Sequence, residues 1–347
     1  MSILSFTYKQ KNKNVKFRDN FKAKKSANKL LKVALKAIFT VFLLFIAIVL
    51  AIFPQRYIST CAQGIKVWAI SVLPSLLPFF FLTTLMVKTD CVNGLSKIFS
   101  PITKHVFKCP EITAYPFVMS LLSGYPIGCK ILADLHQNGQ LDSENCKKAS
   151  VFCSTSGPMF VIGAVGVGMF NSARIGRILY ISHALAAIIL GFVFSFKRTE
   201  NSQTISPILT KENSNVLYDC AYSSVISVCV VGAFISIFFV FTSIACDFCL
   251  LSPLIAIFKP LFGENVSTQF CKGIIECTQG AIYLSKISGN LPIILTSFLI
   301  SFGGISVICQ SSVYLKKAEV STLAFVCSKL LHGLFSAYIT ALILFVF

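Results

Sequence analysis

The residues able to do chemistry gather at points where a helix cannot continue. Ser123-Gly124-Tyr125-Pro126-Ile127-Gly128-Cys129-Lys130 sets a hydroxyl, a phenol and an ammonium around two glycines and a proline, and Ser154-Thr155-Ser156-Gly157-Pro158 sets three hydroxyls before another Gly-Pro. Gly and Pro leave backbone N–H and C=O groups without helical partners. In apolar surroundings such groups are tolerated only facing protein or a water-filled cavity, so both strings are candidate substrate-binding segments. Further along come Glu276, Thr278 and Gln279, then Ser301, Gly303, Gly304, Ser306 and Gln310. Hydroxyls, amides and freed backbone groups together can replace the water shell of a small polar solute. The competing explanation is helix packing, because Gly, Ser and Thr let membrane helices approach closely. Proline beside the first two strings favours a site there.

His183 and His332 are the histidines inside long apolar runs. A neutral imidazole in that setting bridges helices by hydrogen bonds, and proton coupling is its alternative role. The series Gly163-x-x-Gly166-x-Gly168 lies within an apolar run rather than after a strand, which indicates close packing and not a dinucleotide fingerprint. Of the 14 cysteines only Cys246 and Cys249 form a C-x-x-C pair, with no second pair or histidine cluster nearby, so the thiols are taken as small hydrophobes. No hydrolase, metalloprotease or phosphate-loop motif occurs, and neither enzymatic activity, a cofactor nor a metal is expected.

A bilayer must position these groups. The chain is 55% hydrophobic and 13% charged with mean hydropathy +0.77, which excludes an ordinary soluble domain. Apolar runs long enough to cross are expected at 33–53, 65–87, 149–170, 173–196, 218–246, 291–313 and 319–346. The first is long for a cleaved signal and serves as an anchor; Pro74 and Pro78 should kink the second. The run 114–122 is too short to cross, so 111–136 should enter and leave on one side as half-helices. Asp142 or Ser143 should cap the helix that follows the Asn138-Gly139 turn. The expected fold is an all-α integral membrane protein of about seven transmembrane helices, with inverted repeats and broken or re-entrant half-helices. Its parts are a basic tail 1–32, an anchor 33–53, a first repeat 62–196, a polar linker 197–215 and a second repeat 216–347.

The repeat rests on similarities in one order: Ala62 over Ala221 at an offset of 159, Pro126 over Ile274 at 148, Gly157 over Gly303 at 146, and His183 over His332 at 149. Charge fixes the orientation. Of 31 Lys and Arg residues, eleven lie in residues 1–36. A basic tail running straight into an apolar span marks the cytoplasmic side and touches anionic lipid, rather than nucleic acid. With so few apolar residues, 1–30 should be disordered. Seven spans then put 23 basic residues inside and seven outside, with Lys329 left within the last span. Three crossings between equivalent points invert the halves, the plan of many secondary transporters.

The run Leu73-Pro74-Ser75-Leu76-Leu77-Pro78-Phe79-Phe80, the string 123–130, and Ser156-Gly157-Pro158-Met159-Phe160-Val161-Ile162-Gly163-Ala164-Val165-Gly166 together resemble the YlbJ-type sporulation integral membrane proteins. These belong to the wider group with the nucleoside-recognition, or Gate, domain shared with concentrative nucleoside transporters and the membrane part of ferrous iron transporters. The resemblance covers 62–196 and, more weakly, 216–340, and leaves out the tail. It implies an endospore-forming bacterium and a multi-pass protein of the cell membrane, mother-cell or forespore. The expected function is transporter-like, moving or binding a small polar solute, nucleoside-like by family analogy. The competing class is a scaffold that docks spore-envelope assembly proteins. Alanine at 126 and 128 together is expected to restore a continuous helix, abolishing function while stability holds or rises.

Overall fold

The computed structural model describes residues 33–34, 36–89, 91–196 and 215–346, so the tail and nearly all of the expected linker lie outside the described residues. The chain divides into two compact units, 1–58 and 59–347. The described part of the first is chiefly an apolar helix, α1 (Lys36–Ile52). The division falls within α2 (Pro54–Val67), which continues through a π-helical stretch, Trp68–Val72, into α3 (Leu73–Lys88). That irregular stretch lies immediately before Pro74, where the sequence led us to expect a bend.

From α3 onward one order of elements occurs twice. The first pass comprises α3, a short helix α4 (Cys91–Pro101), a hairpin of α5 (Ala114–Ser123) and α6 (Ile127–Gln137), an interrupted pair of α7 (Ser143–Ser150) and a π-helix (Met159–Val167), and the long α8 (Ala173–Val193). The second comprises α9 (Val216–Asp247), short α10 (Ser252–Phe262), a hairpin of α11 (Glu264–Ile275) and α12 (Cys277–Leu284), an interrupted pair of α13 (Asn290–Phe302) and α14 (Gly304–Lys317), and the long α15 (Thr322–Val346). Equivalent elements meet: α3 packs on α9, and α8 on α15. The passes also interlock, with α6 against α14 and α13 against α8.

Five helical stretches among the described residues are long and apolar enough to cross a bilayer: Pro54–Met86, Ala173–Val193, Val216–Asp247, Asn290–Lys317 and Thr322–Val346. The run 149–170 departs from its expectation. Instead of one span it is the end of α7, a non-helical segment over 151–158 and the π-helix, because Gly157-Pro158 cannot extend the helix and the hydroxyls before it compete for backbone partners. Caps follow the sequence. Asp142 accepts from Asn145 N at 2.7 Å to open α7, and Ser172 accepts from Ile175 N at 3.3 Å to open α8.

The core lies between the hairpins and the interrupted pairs. Phe107, Phe117 and Phe152 form an aromatic knot with ring centroids 4.4 to 5.6 Å apart. On the equivalent side, Phe270 meets Phe298 at 5.5 Å. Gly166 packs its backbone on Gly176, the close helix approach that the glycine series implied. Large apolar side chains such as Ile181, Phe192, Tyr222, Leu334 and Phe345 point outward, as a lipid-facing surface requires.

Candidate functional site

Each repeat supplies two helix breaks, and the four converge. The first ends α5: Gly124 takes φ +79, Tyr125-Pro126 follows through a cis peptide bond, and Ile127 starts α6. The second is 151–158. The third is Glu276, whose extended backbone (φ −139, ψ 111) separates α11 from α12. The fourth is Gly303-Gly304, with φ of +86 and +69, a pair of left-handed values that glycine adopts without steric cost. First and second breaks touch backbone to backbone: a Cβ on Gly124 would sit 2.5 Å from Gly157 N. Third and fourth touch likewise, a Cβ on Gly304 falling 3.1 Å from both Ile275 O and Cys277 N.

Between these contacts lies a cavity with about 60 Å3 of space that water-sized molecules can occupy. Ser123, Gly124 and Tyr125 line it from the first break, Ser156 and Gly157 from the second, Glu276 and Thr278 from the third, and Ser306 and Gln310 from α14. Leu76, Phe80 and Phe160 close an apolar wall. The Glu276 carboxylate accepts from Thr278 N at 3.2 Å and Gln279 N at 2.6 Å, capping α12 at its positive end. A second, wider space of about 220 Å3 adjoins it, sharing Ser123 and Phe80 and reaching Lys130 and Asp134 on α6.

Not every expected residue faces the cavity. Gly128 packs against the Cys153 carbonyl, where no side chain fits. This overturns the expectation that alanine at 126 and 128 spares stability, since Gly128 serves contact between segments and not backbone freedom. Lys130 is exposed and lines the adjoining wider space rather than the cavity itself. Pro126 and Pro158 shape the breaks, Thr155 and Gln279 are buried behind the wall, and Gly303 turns α13 into α14.

Ser154 belongs to a buried polar network behind the cavity, centred on Lys329. The sequence had left Lys329 only as a charge stranded in α15. Its Nζ donates to Ser154 O and Tyr125 Oη, both at 2.8 Å, and to His332 Nδ1 at 3.3 Å. It also sits 4.7 Å from the centre of the Tyr125 ring, a cation–π contact. Tyr125 in turn donates to the carbonyls that end α13, Ile300 O at 3.1 Å and Ser301 O at 3.3 Å. One signal could have found Lys329: it lies three residues before His332, on the same helical face.

Hydrogen bonds fix the state of the two histidines. Ser156 N donates to His183 Nε2 at 2.8 Å, so that nitrogen carries the lone pair and Nδ1 carries the hydrogen bonded to Ser301 Oγ at 2.7 Å. His332 is the other tautomer, with Nε2 donating to His183 O at 3.0 Å and Nδ1 accepting from Lys329. Their rings stack with centroids 4.6 Å apart. Both are neutral bridges joining α8, α15 and the second and fourth breaks.

No family model matches the chain. It is similar to the sporulation integral membrane protein YlbJ of Bacillus subtilis (strain 168), 27% identical over 331 aligned residues that cover 87% of this chain and 81% of that protein. Among solved structures it is similar to CNTnw, a concentrative nucleoside transporter, in an inward-facing substrate-bound state: TM-score 0.56, 14% identity, 79% of this chain and 75% of that one. A doubly substituted CNTnw in an outward-facing state gives 0.55 and 15% over the same shares. The fold resembles that of a nucleoside transporter. The chain is a multi-spanning integral membrane protein with a transporter-like fold, and it resembles the YlbJ-type sporulation proteins as its sequence motifs implied.

Proposed function

We propose that this protein binds a small polar, nucleoside-like solute between its four helix breaks and carries it across a cell membrane during spore formation, as an integral transporter and not as an enzyme. Two Gate-like repeats, 62–196 and 216–347, each contribute half of the site, and the basic tail rests on the cytoplasmic leaflet. One observation carries the reading: polar groups from the first three breaks and from α14, the helix that follows the fourth, line a single cavity, opposite an apolar wall suited to a planar ring. Glu276 offers a carboxylate to solute hydroxyls, Gln310 an amide, and Ser123, Ser156 and Ser306 hydroxyls. A carboxylate held by two backbone N–H groups is already oriented, so it costs little ordering when the solute arrives. Sporulation and nucleoside specificity are extended from the YlbJ likeness and the CNTnw fold respectively.

The test is uptake into proteoliposomes of a panel of labelled nucleosides, nucleobases and sugars. We expect saturable uptake of at least one nucleoside, lost in Glu276→Ala. No uptake and no binding of any of them, with sporulation still requiring the protein, would turn the reading toward a scaffold.

A further inference from the structure

We propose that Lys329 is a protonatable lock: as an ammonium it ties the first hairpin and the segment 151–158 to α15, and on losing one proton it can no longer hold both of them together with His332. The argument counts hydrogens. An ammonium has three N–H donors, and Lys329 Nζ spends all three, on Tyr125 Oη, Ser154 O and His332 Nδ1. A neutral amine has two N–H donors and one lone pair. None of the three partners can simply turn round to serve that lone pair: Ser154 O is a carbonyl, Tyr125 already donates to the end of α13, and His332 places its hydrogen on Nε2 for His183 O. Deprotonation therefore leaves one buried acceptor bare, and the structure gains by separating that pair.

The partners of this lock matter more than its depth. Tyr125 and Ser154 sit on the two breaks that build the first repeat's share of the cavity, while Lys329 sits on the last helix of the second repeat. Release at either bond loosens one repeat from the other at the cavity wall. Around Lys329 the titratable groups are His332 on its own helix, Tyr125 and Cys129 from the first hairpin, His183 from α8 and Cys277 from α12. None is a carboxylate, and no ion pair among the described residues involves Lys329. The ammonium is thus held by neutral dipoles alone, a set that can release its proton without stranding a counter-charge. The proton leaves to water through the cavity that Tyr125 lines. The histidines do not extend the path, because His332 Nε2 ends on a backbone carbonyl.

This deepens the transporter reading and rests on it only for what the lock would serve, so the test uses no solute. Ser123→Cys places a thiol on the cavity wall. Its modification by a water-soluble methanethiosulfonate is followed by peptide mass spectrometry in the full chain, from about pH 6.5 to about pH 9, and normalised to native exposed Cys249 to remove the thiolate effect. The normalised rate should rise severalfold with pH when Lys329 is present. Lys329→Arg, always charged, should label slowly throughout, and Lys329→Met should label fast throughout. Tyr125→Phe removes one acceptor so that a neutral amine can serve the remaining two, and it should flatten the profile even if the lysine variants fail to fold. A pH-independent rate in the Lys329 protein, or the same rise in Tyr125→Phe, overturns the proposal. Failure of the uptake screen with the pH profile intact would remove the transporter reading and leave the lock standing; uptake with a flat profile would do the reverse.

Discussion

The two helix hairpins hold equivalent places in the repeat and each tip lies against a neighbouring break, yet the tip side chain of α5–α6 bonds groups elsewhere whereas that of α11–α12 bonds its own helix. At the first tip Gly124 lies on Gly157, and Tyr125 bonds the end of α13 and Lys329 of α15. At the second tip Glu276 turns back on its own helix and accepts from Thr278 N and Gln279 N. The bodies differ in the same sense. Gly128 of α6 abuts Cys153, while Gly280 of α12 abuts Gly273 of its own hairpin. A tip whose side chain bonds its own helix keeps those bonds whatever its neighbours do. One satisfied by neighbours feels each of their displacements, which makes α5–α6 the element suited to report on the rest of the molecule.

That contrast breaks most visibly at Gly128. Gly128→Ala drives a methyl into the Cys153 carbonyl and should cost more than ~3 kcal/mol, enough that little folded protein is recovered from detergent. Thermal unfolding against Pro126→Ala is the measurement, and a Gly128→Ala protein as stable as its parent would show that the first hairpin is not held from outside. Next is Glu276→Ala, which strips the α12 cap for about 1–2 kcal/mol, while Glu276→Gln, keeping an acceptor, should cost under ~1 kcal/mol. Both should weaken binding of the proposed nucleoside-like solute at least tenfold, so a separation of affinity from melting temperature in Glu276→Gln sharpens the claim that the tip of this hairpin bonds itself. Third, Ser301→Ala removes the acceptor of His183 Nδ1–H and should cost about 1 kcal/mol in the same assay.

The smallest effect is expected where the repeats agree. Lys104 bonds Glu111 at 2.6 Å before the first hairpin, and Lys259 bonds Glu264 at 2.9 Å before the second. The hydrogen bond and charge of Lys104 hold the Glu111 carboxyl below the ordinary carboxylate range. A depressed value adds stability above that range and loses it as pH falls through the depressed value. Both partners are well exposed, so Lys104→Ala should change stability by under ~0.5 kcal/mol near neutral pH, with less effect in high salt.

Much of this was legible because Gly and Pro announce themselves. The breaks at Gly124-Tyr125-Pro126 and Gly157-Pro158 stand where the sequence placed them, Gly303-Gly304 divides the run 291–313 that was expected as one span, and the matched histidines His183 and His332 do stack. Glu276 was harder, since a glutamate inside a helical pattern does not signal a break; only its repeat position beside Pro126 did. The run 149–170 misled because averaged hydropathy hides eight residues that leave the helix and return. Gly128 misled for a different reason: a glycine's backbone freedom is visible in sequence, whereas the carbonyl pressed against it comes from 25 residues away. Lys329 was left within the last span, outside the charge balance and without partners, because its three acceptors are spread over two repeats.

Those acceptors also set an order for making the protein. α15 carries a lysine within an apolar span, and a lysine near the centre of a helix entering lipid alone costs about 2.5–3.5 kcal/mol. Tyr125 and Ser154 are synthesised some two hundred and 175 residues earlier, so both have left the ribosome before Lys329 does. The final span can therefore be admitted by the helices already inserted. A nascent chain shortened within the first repeat would deny it that reception and leave α15 slow to enter the bilayer.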